Sequence, residues 1–181
     1  KEDFEAIFSH IYKVYKVTPN AEITLEANPD DLTSEYISML RTFPFNRISM
    51  GIQTFQETTL KQLQRRHTAD QAIRAFQGCR TAGFQNISID LMYGLPGETL
   101  TSWKKDLKQA LSLHPEHISA YHLIYEEGTP LWKLREQHKV EEADEDLSVS
   151  LFGTLIDELT TAGYEHYEIS NFCLPGLHSR H

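Results

Sequence analysis

A layout that occurs three times along the 181-residue chain limits the folds that the chain can adopt. In each copy a threonine is followed by a helix-stopping Gly or Pro, then by an aromatic residue, and three residues later by the first strand residue that should be buried. The copies begin at Thr42, Thr81 and Thr161. Their spacing of about 40 and about 80 residues is that of one and two helix-strand units. The repetition predicts an α/β fold with a parallel sheet and right-handed crossovers.

Hydrophobic periodicity and turn residues predict where the elements lie. The expected helices are 2–16, 33–42, 56–65, 68–83, 100–111 and 144–162. Thr68 and Gln71 have the spacing of a capping box for the fourth of them. The expected strands are 22–27, 46–53, 86–92, 116–123 and 164–170.

Alternation within the strands distinguishes a barrel from a flat sheet. One face of each strand is aliphatic, whereas the other is small or hydroxylic and carries a larger polar group towards the carboxyl end. A doubly wound sheet is usually aliphatic on both faces. The pattern therefore predicts a parallel (β/α) barrel with a polar interior, incomplete because closure takes about eight strands.

The polar groups in question are Glu26, Gln53 and Asp90, at equivalent positions on three strands. In a parallel barrel such positions face one site, so the three would form a ring of donors and acceptors for a nucleoside-like ligand. The alternative is that each caps a helix or closes a loop. Arg65 or Arg66 could reach a ligand carboxylate, although a cation at a helix end is favourable by itself.

Composition excludes several other functions. The net charge of −9 argues against nucleic acid or an anionic membrane as partner, so we expect neither nucleic-acid binding nor membrane association. Cys79 should pack in a core and Cys173 lies in a loop, which suits a reducing cytoplasm. His178 and His181 form an H-x-x-H pair, but without further ligands we expect no metal there. No set of catalytic residues can be assembled, and the oligomeric state stays open.

Several longer motifs resemble a known family: LEANPDDLT, RISMGIQTF, LQRRHT, NISIDLMYGLPGET, HPEHISAYHL with EEGTPL, and HYEISNFCLPG. They are similar to the radical S-adenosylmethionine proteins of the HemN/HemW group, and HYEISNF and EEGTPL are closer to the HemW type. The resemblance implies a partial parallel barrel of the radical S-adenosylmethionine type. It also implies that Glu26, Gln53, Arg65 and Asp90 contact the cofactor, with Ile124 as a weaker backbone contact.

The resemblance further implies a [4Fe-4S] cluster held by a C-x-x-x-C-x-x-C motif, which this sequence lacks. The chain begins without Met, so we expect residues 1–170 to be the central part of the barrel. Residues 171–181 would then start the connection to a further C-terminal region. This fragment alone should be inactive.

Three functions stay open at this point. The first is a HemW-like haem chaperone, with S-adenosylmethionine as cofactor and haem as a further ligand. The second is an oxygen-independent coproporphyrinogen III oxidase, which acts on porphyrinogen propionates. The third is a parallel α/β domain that has a different ligand.

Overall fold

The computed structural model describes residues 1–180 and places them around one six-stranded sheet. In chain order its strands are β1 (Thr24–Ala27), β2 (Arg47–Gln53), β3 (Ile87–Tyr93), β4 (His117–His122), β5 (Glu165–Glu168) and β6 (Asn171–Cys173). Across the sheet the order is β1-β2-β3-β4-β6-β5, and β1 to β4 are all parallel. The sheet is open, with β1 and β5 at its edges. The predicted α/β fold with an incomplete parallel barrel is confirmed.

The described chain contains seven α-helices, of which α1 precedes the first strand and the other six connect strands. They are α1 (Glu2–Val14), α2 (Ser34–Leu40), α3 (Glu57–Gln62), α4 (Ala69–Thr81), α5 (Leu100–Ser112), α6 (Pro130–Glu136) and α7 (Glu145–Thr161). A 3-10 turn, Pro29–Asp31, follows β1. The capping box of Thr68 and Gln71 at the start of α4 is confirmed. Helix α6 was not predicted, although Thr129 and Pro130 are typical of a helix start. None of the described helices is long and apolar enough to span a membrane.

One face of the sheet packs against helices and forms the core, as the alternation predicts. Its strand side chains are almost completely buried: Ile48, Met50, Ile52, Ile87, Ile89, Leu91, Ile118 and Ala120. They belong to one apolar cluster with residues of α2, α4, α5 and α7. Trp103 donates its Nε1–H to the carbonyl oxygen of Leu151 at 3.0 Å, which satisfies the polar atom of a fully buried side chain. The opposite face of the sheet is left for polar groups.

The repeated strand entry is a helix end followed by a buried aromatic ring. Gly83 has φ of 95° after α4, and the N–H of Phe84 donates to the carbonyl oxygen of Cys79. This is the hydrogen bond of a Schellman motif, which favours glycine because the residue is left-handed. Gly163 and Tyr164 repeat the arrangement after α7. All three aromatic residues of the repeat are buried: Phe45, Phe84 and Tyr164.

The predicted fifth strand over 164–170 is present as β5, but the short strand β6 after it was not predicted. The expectation that Cys173 lies in a loop is therefore wrong, because Cys173 ends β6. The chain turns at Ile169 and Ser170, so β5 and β6 form a tight antiparallel hairpin. β6 then pairs antiparallel with β4 and lies between β4 and β5. Phe172 and Cys173 of β6 are fully buried, which explains why this short strand, rather than the polar β5, occupies the inner position.

Candidate functional site

A polar cavity of about 310 Å³ opens on the polar face of β1, β2 and β3, towards their carboxyl ends. Small-molecule pockets usually have volumes of about 300–1,000 Å³, so the cavity lies at the lower end of that range. Four of the five predicted site residues line it, namely Glu26, Gln53, Arg65 and Asp90. The other lining residues are Ala27, Asn28, Asp31, Ser49 and Gly51.

The strand register explains why these side chains meet. Glu26 is opposite Ser49 on the neighbouring strand, and Gly51 is opposite Asp90. Asp90 lies at the middle of β3 and not where the strand ends, because β3 continues to Tyr93. Both carboxylates line the cavity, and the absence of a side chain at Gly51 leaves room there for the ends of Gln53 and Arg65. The two carboxylates therefore face the same cavity.

Gln53 reaches the cavity through an irregularity that the sequence did not reveal. The register between β2 and β3 shifts between Gly51 and Gln53, and Gln53 has φ of 72°. A positive φ is uncommon outside glycine and usually needs support from neighbouring groups. His67 provides one such contact, since its Nε2 lies 3.1 Å from the carbonyl oxygen of Ile52.

The loop that follows Gln53 is held by a buried carboxylate on α5. Asp106 accepts hydrogen bonds from the hydroxyl of Thr54, the backbone N–H of Phe55 at 3.2 Å and the side chain of Gln56 at 2.9 Å. Burial raises the pKa of Asp106, whereas these three donors lower it. Sequence reasoning missed Asp106, because one aspartate on a helix gives no signal of burial. Its contacts fix the backbone immediately after the cavity.

The structure distinguishes the two adjacent arginines. Arg65 turns into the cavity, where its Nη2 donates to Asn28 Oδ1 at 2.6 Å and to the Gly51 carbonyl oxygen at 3.1 Å. Arg66 instead forms ion pairs with Asp30 at 3.0 Å and Asp31 at 3.2 Å. Arg66 is largely exposed, so these pairs stabilise the fold little. Only Arg65 is placed to meet a ligand in the cavity.

Among the residues that line the cavity, Asp90 has the most strongly shifted pKa. Its pKa is raised to about 6, mainly by burial and in smaller part by the nearby carboxylate of Glu26. A hydrogen bond from Ser49 at 3.4 Å and the positive charge of Arg47 act in the opposite direction. A buried carboxylate of this kind is typical of a functional site, because a ligand that donates a hydrogen bond or carries positive charge would relieve its desolvation.

Ile124 is not among the described residues that line the cavity. It follows β4 in a loop, and 75% of its surface is exposed. Its side chain therefore does not pack in the core. Its predicted role as a backbone contact stays a prediction.

Asn28 is a cavity residue that sequence reasoning interpreted only as a strand break. It precedes the 3-10 turn, and its side chain orients Arg65. The signal that could have found it is the N-P-D-D sequence, since such a polar turn at the carboxyl end of a strand is where barrel sites lie.

A larger cleft of about 410 Å³ lies on the other side of the 3-10 turn, against α2 and α4. Helix residues such as Ile37 and Gly78 line it, and it contains none of the predicted site residues. The smaller cavity is the better candidate, because two carboxylates, an amide and a guanidinium meet in it on the polar face of the parallel strands.

The cysteines do not suit an iron-sulfur cluster. Such clusters are held by several thiolates, whereas this chain contains only Cys79 and Cys173, and both are buried. Cys79 packs in the core, as predicted. The residues of this chain therefore fit a polar organic ligand but not a cluster. His181 of the H-x-x-H pair lies outside the described residues.

The fold and the cavity together define a partial (β/α) barrel protein with a polar site on the inner face of β1, β2 and β3. The model of the Radical SAM superfamily matches residues 1–110, which is more than half of the chain, so the chain belongs to this superfamily. The resemblance found in the sequence motifs is thereby confirmed.

Within this superfamily, the chain is similar to curated proteins that share one name. The chain is 41% identical over 160 residues to the "Heme chaperone HemW" of Lactococcus lactis, covering 88% of this chain and 42% of that protein. It is 35% identical over 182 residues to the Bacillus subtilis protein of the same name, covering 100% and 48%. The chain thus spans less than half the length of these relatives.

Among solved structures, the coproporphyrinogen III oxidase HemN of Escherichia coli has the same fold. The TM-score is 0.81 at 24% identity, over 95% of this chain and 39% of that one. The maturase HydG of the [FeFe]-hydrogenase also matches, with a TM-score of 0.63 at 17% identity over 88% and 36%. At these identities the likeness establishes the partial barrel alone.

Proposed function

We propose that Glu26, Gln53, Arg65 and Asp90 bind S-adenosylmethionine in the polar cavity. The observation that carries the proposal is their convergence on one cavity in a chain of the Radical SAM superfamily. The guanidinium of Arg65 would bind the methionine carboxylate, since arginine favours charge-assisted contacts with carboxylates. The carboxylates of Glu26 and Asp90 would accept hydrogen bonds from ribose hydroxyl or amino groups. The Gln53 amide can both donate and accept.

Two features of the cavity should favour binding of such a ligand. Asn28 and the Gly51 carbonyl oxygen engage one nitrogen of Arg65, so the side chain is oriented before a ligand binds. Asp90 lies in a desolvated position, where a hydrogen bond to a ligand is stronger than in water. Ile124 would add a backbone contact from the loop after β4. A [4Fe-4S] cluster supplies the electron for cofactor cleavage in the family, but its thiolate ligands are not among these residues.

The adjacent arginines allow a matched test of the binding site. In the complete gene product, Arg65→Ala should weaken the Kd for S-adenosylmethionine by about 10- to 100-fold, the range for losing a hydrogen bond to a charged group. Arg66→Ala should leave it within about twofold, because Arg66 pairs with the acidic turn. Isothermal titration calorimetry measures both. Equal effects of the two variants would refute the proposed site.

For the complete protein we propose the role of a HemW-like haem chaperone. The support is the identity of 41% and 35% to proteins named haem chaperone, compared with 24% to the oxidase HemN. Haem would then be the second ligand, and the protein would bind and pass it on. The alternative is oxidative decarboxylation of coproporphyrinogen III, which the shared fold favours only weakly.

One experiment distinguishes the two functions. The reconstituted complete protein is incubated with haem and, separately, with coproporphyrinogen III, S-adenosylmethionine and a reductant. A chaperone should retain haem through gel filtration and leave the porphyrinogen unconverted. Formation of protoporphyrinogen would instead establish the oxidase.

A further inference from the structure

The hairpin of β5 and β6 brings together three residues that can bind a metal ion, far from the polar cavity in sequence. Glu165 and Cys173 are directly opposite each other on the two strands. His178 comes from the segment that follows β6. One ligand atom from each residue lies within 4.8 Å of the others. Two strands and one loop thus supply a thiol, an imidazole and a carboxylate to one place.

The local sequence explains how His178 returns to the hairpin. Leu174, Pro175, Gly176 and Leu177 form a tight turn, in which the N–H of Leu177 donates to the carbonyl oxygen of Leu174 at 3.0 Å. Gly176 has φ of 79°. Proline followed by a left-handed glycine is typical of a type II turn. The turn reverses the chain, so that His178 lies beside Cys173.

The sulfur of Cys173 is buried, and it lies within 4.8 Å of a ligand atom of Glu165 and of His178. Metal binding would displace the proton from this thiol.

The imidazole is also held in place. His178 Nε2 lies 3.2 Å from Glu165 Oε2, and its ring packs edge to face on Tyr167 at 4.7 Å. In a tetrahedral zinc site with bonds of about 2.0–2.3 Å, neighbouring ligand atoms are about 3.5 Å apart. The histidine and the carboxylate thus already have nearly the separation that a shared ion requires. As an exposed ion pair alone, they would contribute little.

We propose that Glu165, Cys173 and His178 bind a zinc ion. A thiolate with an imidazole selects Zn²⁺ over the hard cations Mg²⁺ and Ca²⁺. Three protein ligands leave a fourth position for water or for another group. The ion would join the edge of the sheet to the segment after β6. The sequence expectation of no metal at His178 rested on the absence of further ligands, and the fold brings two of them to it.

The two cysteines allow a matched experiment on this chain with Co²⁺ as the spectroscopic probe. The metal-free, reduced protein should bind one equivalent and show sulfur-to-cobalt charge-transfer absorption, which Zn²⁺ then abolishes. Cys173→Ala should lose this absorption, whereas Cys79→Ala should keep it because Cys79 lies in the core. Circular dichroism checks that both variants are folded. Absence of the band in the folded wild type, or its persistence in Cys173→Ala, overturns the proposal.

A second pair of variants keeps the test decisive if Cys173→Ala does not fold. His178→Gln, at a partly exposed position, should weaken Zn²⁺ binding by at least about tenfold, in line with the loss of one of three ligands. The control His138→Gln changes an exposed histidine after α6 and should have no effect. In a thermal melt, Zn²⁺ should raise the Tm of the wild type and of His138→Gln only. Equal Tm shifts in all three proteins would show adventitious binding and refute the site.

Discussion

Arg65 donates a hydrogen bond from Nη2 to Oδ1 of Asn28 at 2.6 Å, which joins the segment after α3 to the turn after β1. The same nitrogen contacts the carbonyl oxygen of Gly51 on β2. One guanidinium nitrogen therefore connects three separate parts of the cavity wall. The remaining guanidinium donors are directed by this anchoring, which is the preorganisation that a carboxylate site needs.

Removing the anchor should impair binding more than folding. We expect Asn28→Ala to weaken the Kd for S-adenosylmethionine in the complete gene product by about 3- to 30-fold, because Arg65 loses an orienting hydrogen bond of about 1–2 kcal/mol. The Tm should fall by only a few degrees. Calorimetric titration measures the affinity, with Asn20→Ala, at an exposed position before β1, as control. An affinity unchanged in Asn28→Ala would show that Arg65 needs no such support.

A substitution at Gly51 should displace two side chains that line the cavity. A β-carbon at this position would lie 3.0 Å from Nε2 of Gln53 and 3.4 Å from Nη2 of Arg65. Both atoms are ends of flexible side chains, so Gly51→Ala should fold but displace them. We predict a loss of affinity for S-adenosylmethionine of at least about tenfold, with a change in unfolding free energy within about 1 kcal/mol.

Gly153 provides the control for that substitution. It lies in α7, where an added β-carbon has no neighbour within 4 Å. Gly153→Ala should leave binding unchanged and stabilise the helix by about 0.5–1 kcal/mol. If Gly51→Ala bound the cofactor as tightly as Gly153→Ala, Gln53 and Arg65 would not be the contacts.

The strand faces and the positions of Glu26 and Asp90 could be predicted from the sequence, because a two-residue period repeats over several strands. The position of Gln53 agreed with the prediction only in part, since a register shift and a positive φ are properties of the pairing with β3. The contacts of Asn28 and Asp106 depend on residues that are distant along the chain. No local pattern encodes them.

The β5–β6 hairpin also shows that strand pairing could not be predicted from the sequence repeat. The Gly163 and Tyr164 entry matches the parallel strands, and it does start a strand. The repeat does not predict which strand pairs with β5. Because Phe172 buries completely, the short second strand takes the place beside β4 and makes this edge of the sheet antiparallel.

The charge on Asp90 should reduce the stability of the fold at neutral pH. Its pKa is raised from 3.8 to about 6, so the ionised form is disfavoured in the folded state. This destabilisation is absent below the unfolded pKa, grows between the two values and is complete above about pH 6. Asp90→Asn should therefore gain stability relative to wild type as pH rises, by at most about 3 kcal/mol for a shift of this size.

Urea denaturation at pH 4 and at pH 7.5 measures this gain. The difference in unfolding free energy between Asp90→Asn and wild type should be larger at pH 7.5 than at pH 4. Asp157→Asn, at an exposed position on α7, should show no such dependence. A difference that is the same at both pH values would mean that Asp90 titrates normally in the fold.

Gly94 should be essential for stability, although it does not line the cavity. It follows β3 with φ of 72°, and an added β-carbon would lie 2.6 Å from Nε2 of His122. The His122 ring cannot easily withdraw, because its two nitrogens lie within hydrogen-bonding distance of the Leu123 carbonyl oxygen and the Ser148 hydroxyl. Gly94→Ala therefore combines a left-handed backbone with a clash, and we expect a loss of at least about 2 kcal/mol.

A substitution at Gly97, in the same loop, measures the cost of the left-handed backbone without the cost of the clash. Its φ is 71°, almost identical to that of Gly94, but a β-carbon there has no neighbour within 4 Å. Gly97→Ala should cost only the backbone term of about 1 kcal/mol. Chemical denaturation of both variants measures the difference, which reports the close approach of Gly94 to His122. If the two variants lost the same stability, the contact with His122 would contribute nothing, and the glycine requirement at position 94 would be one of backbone conformation alone.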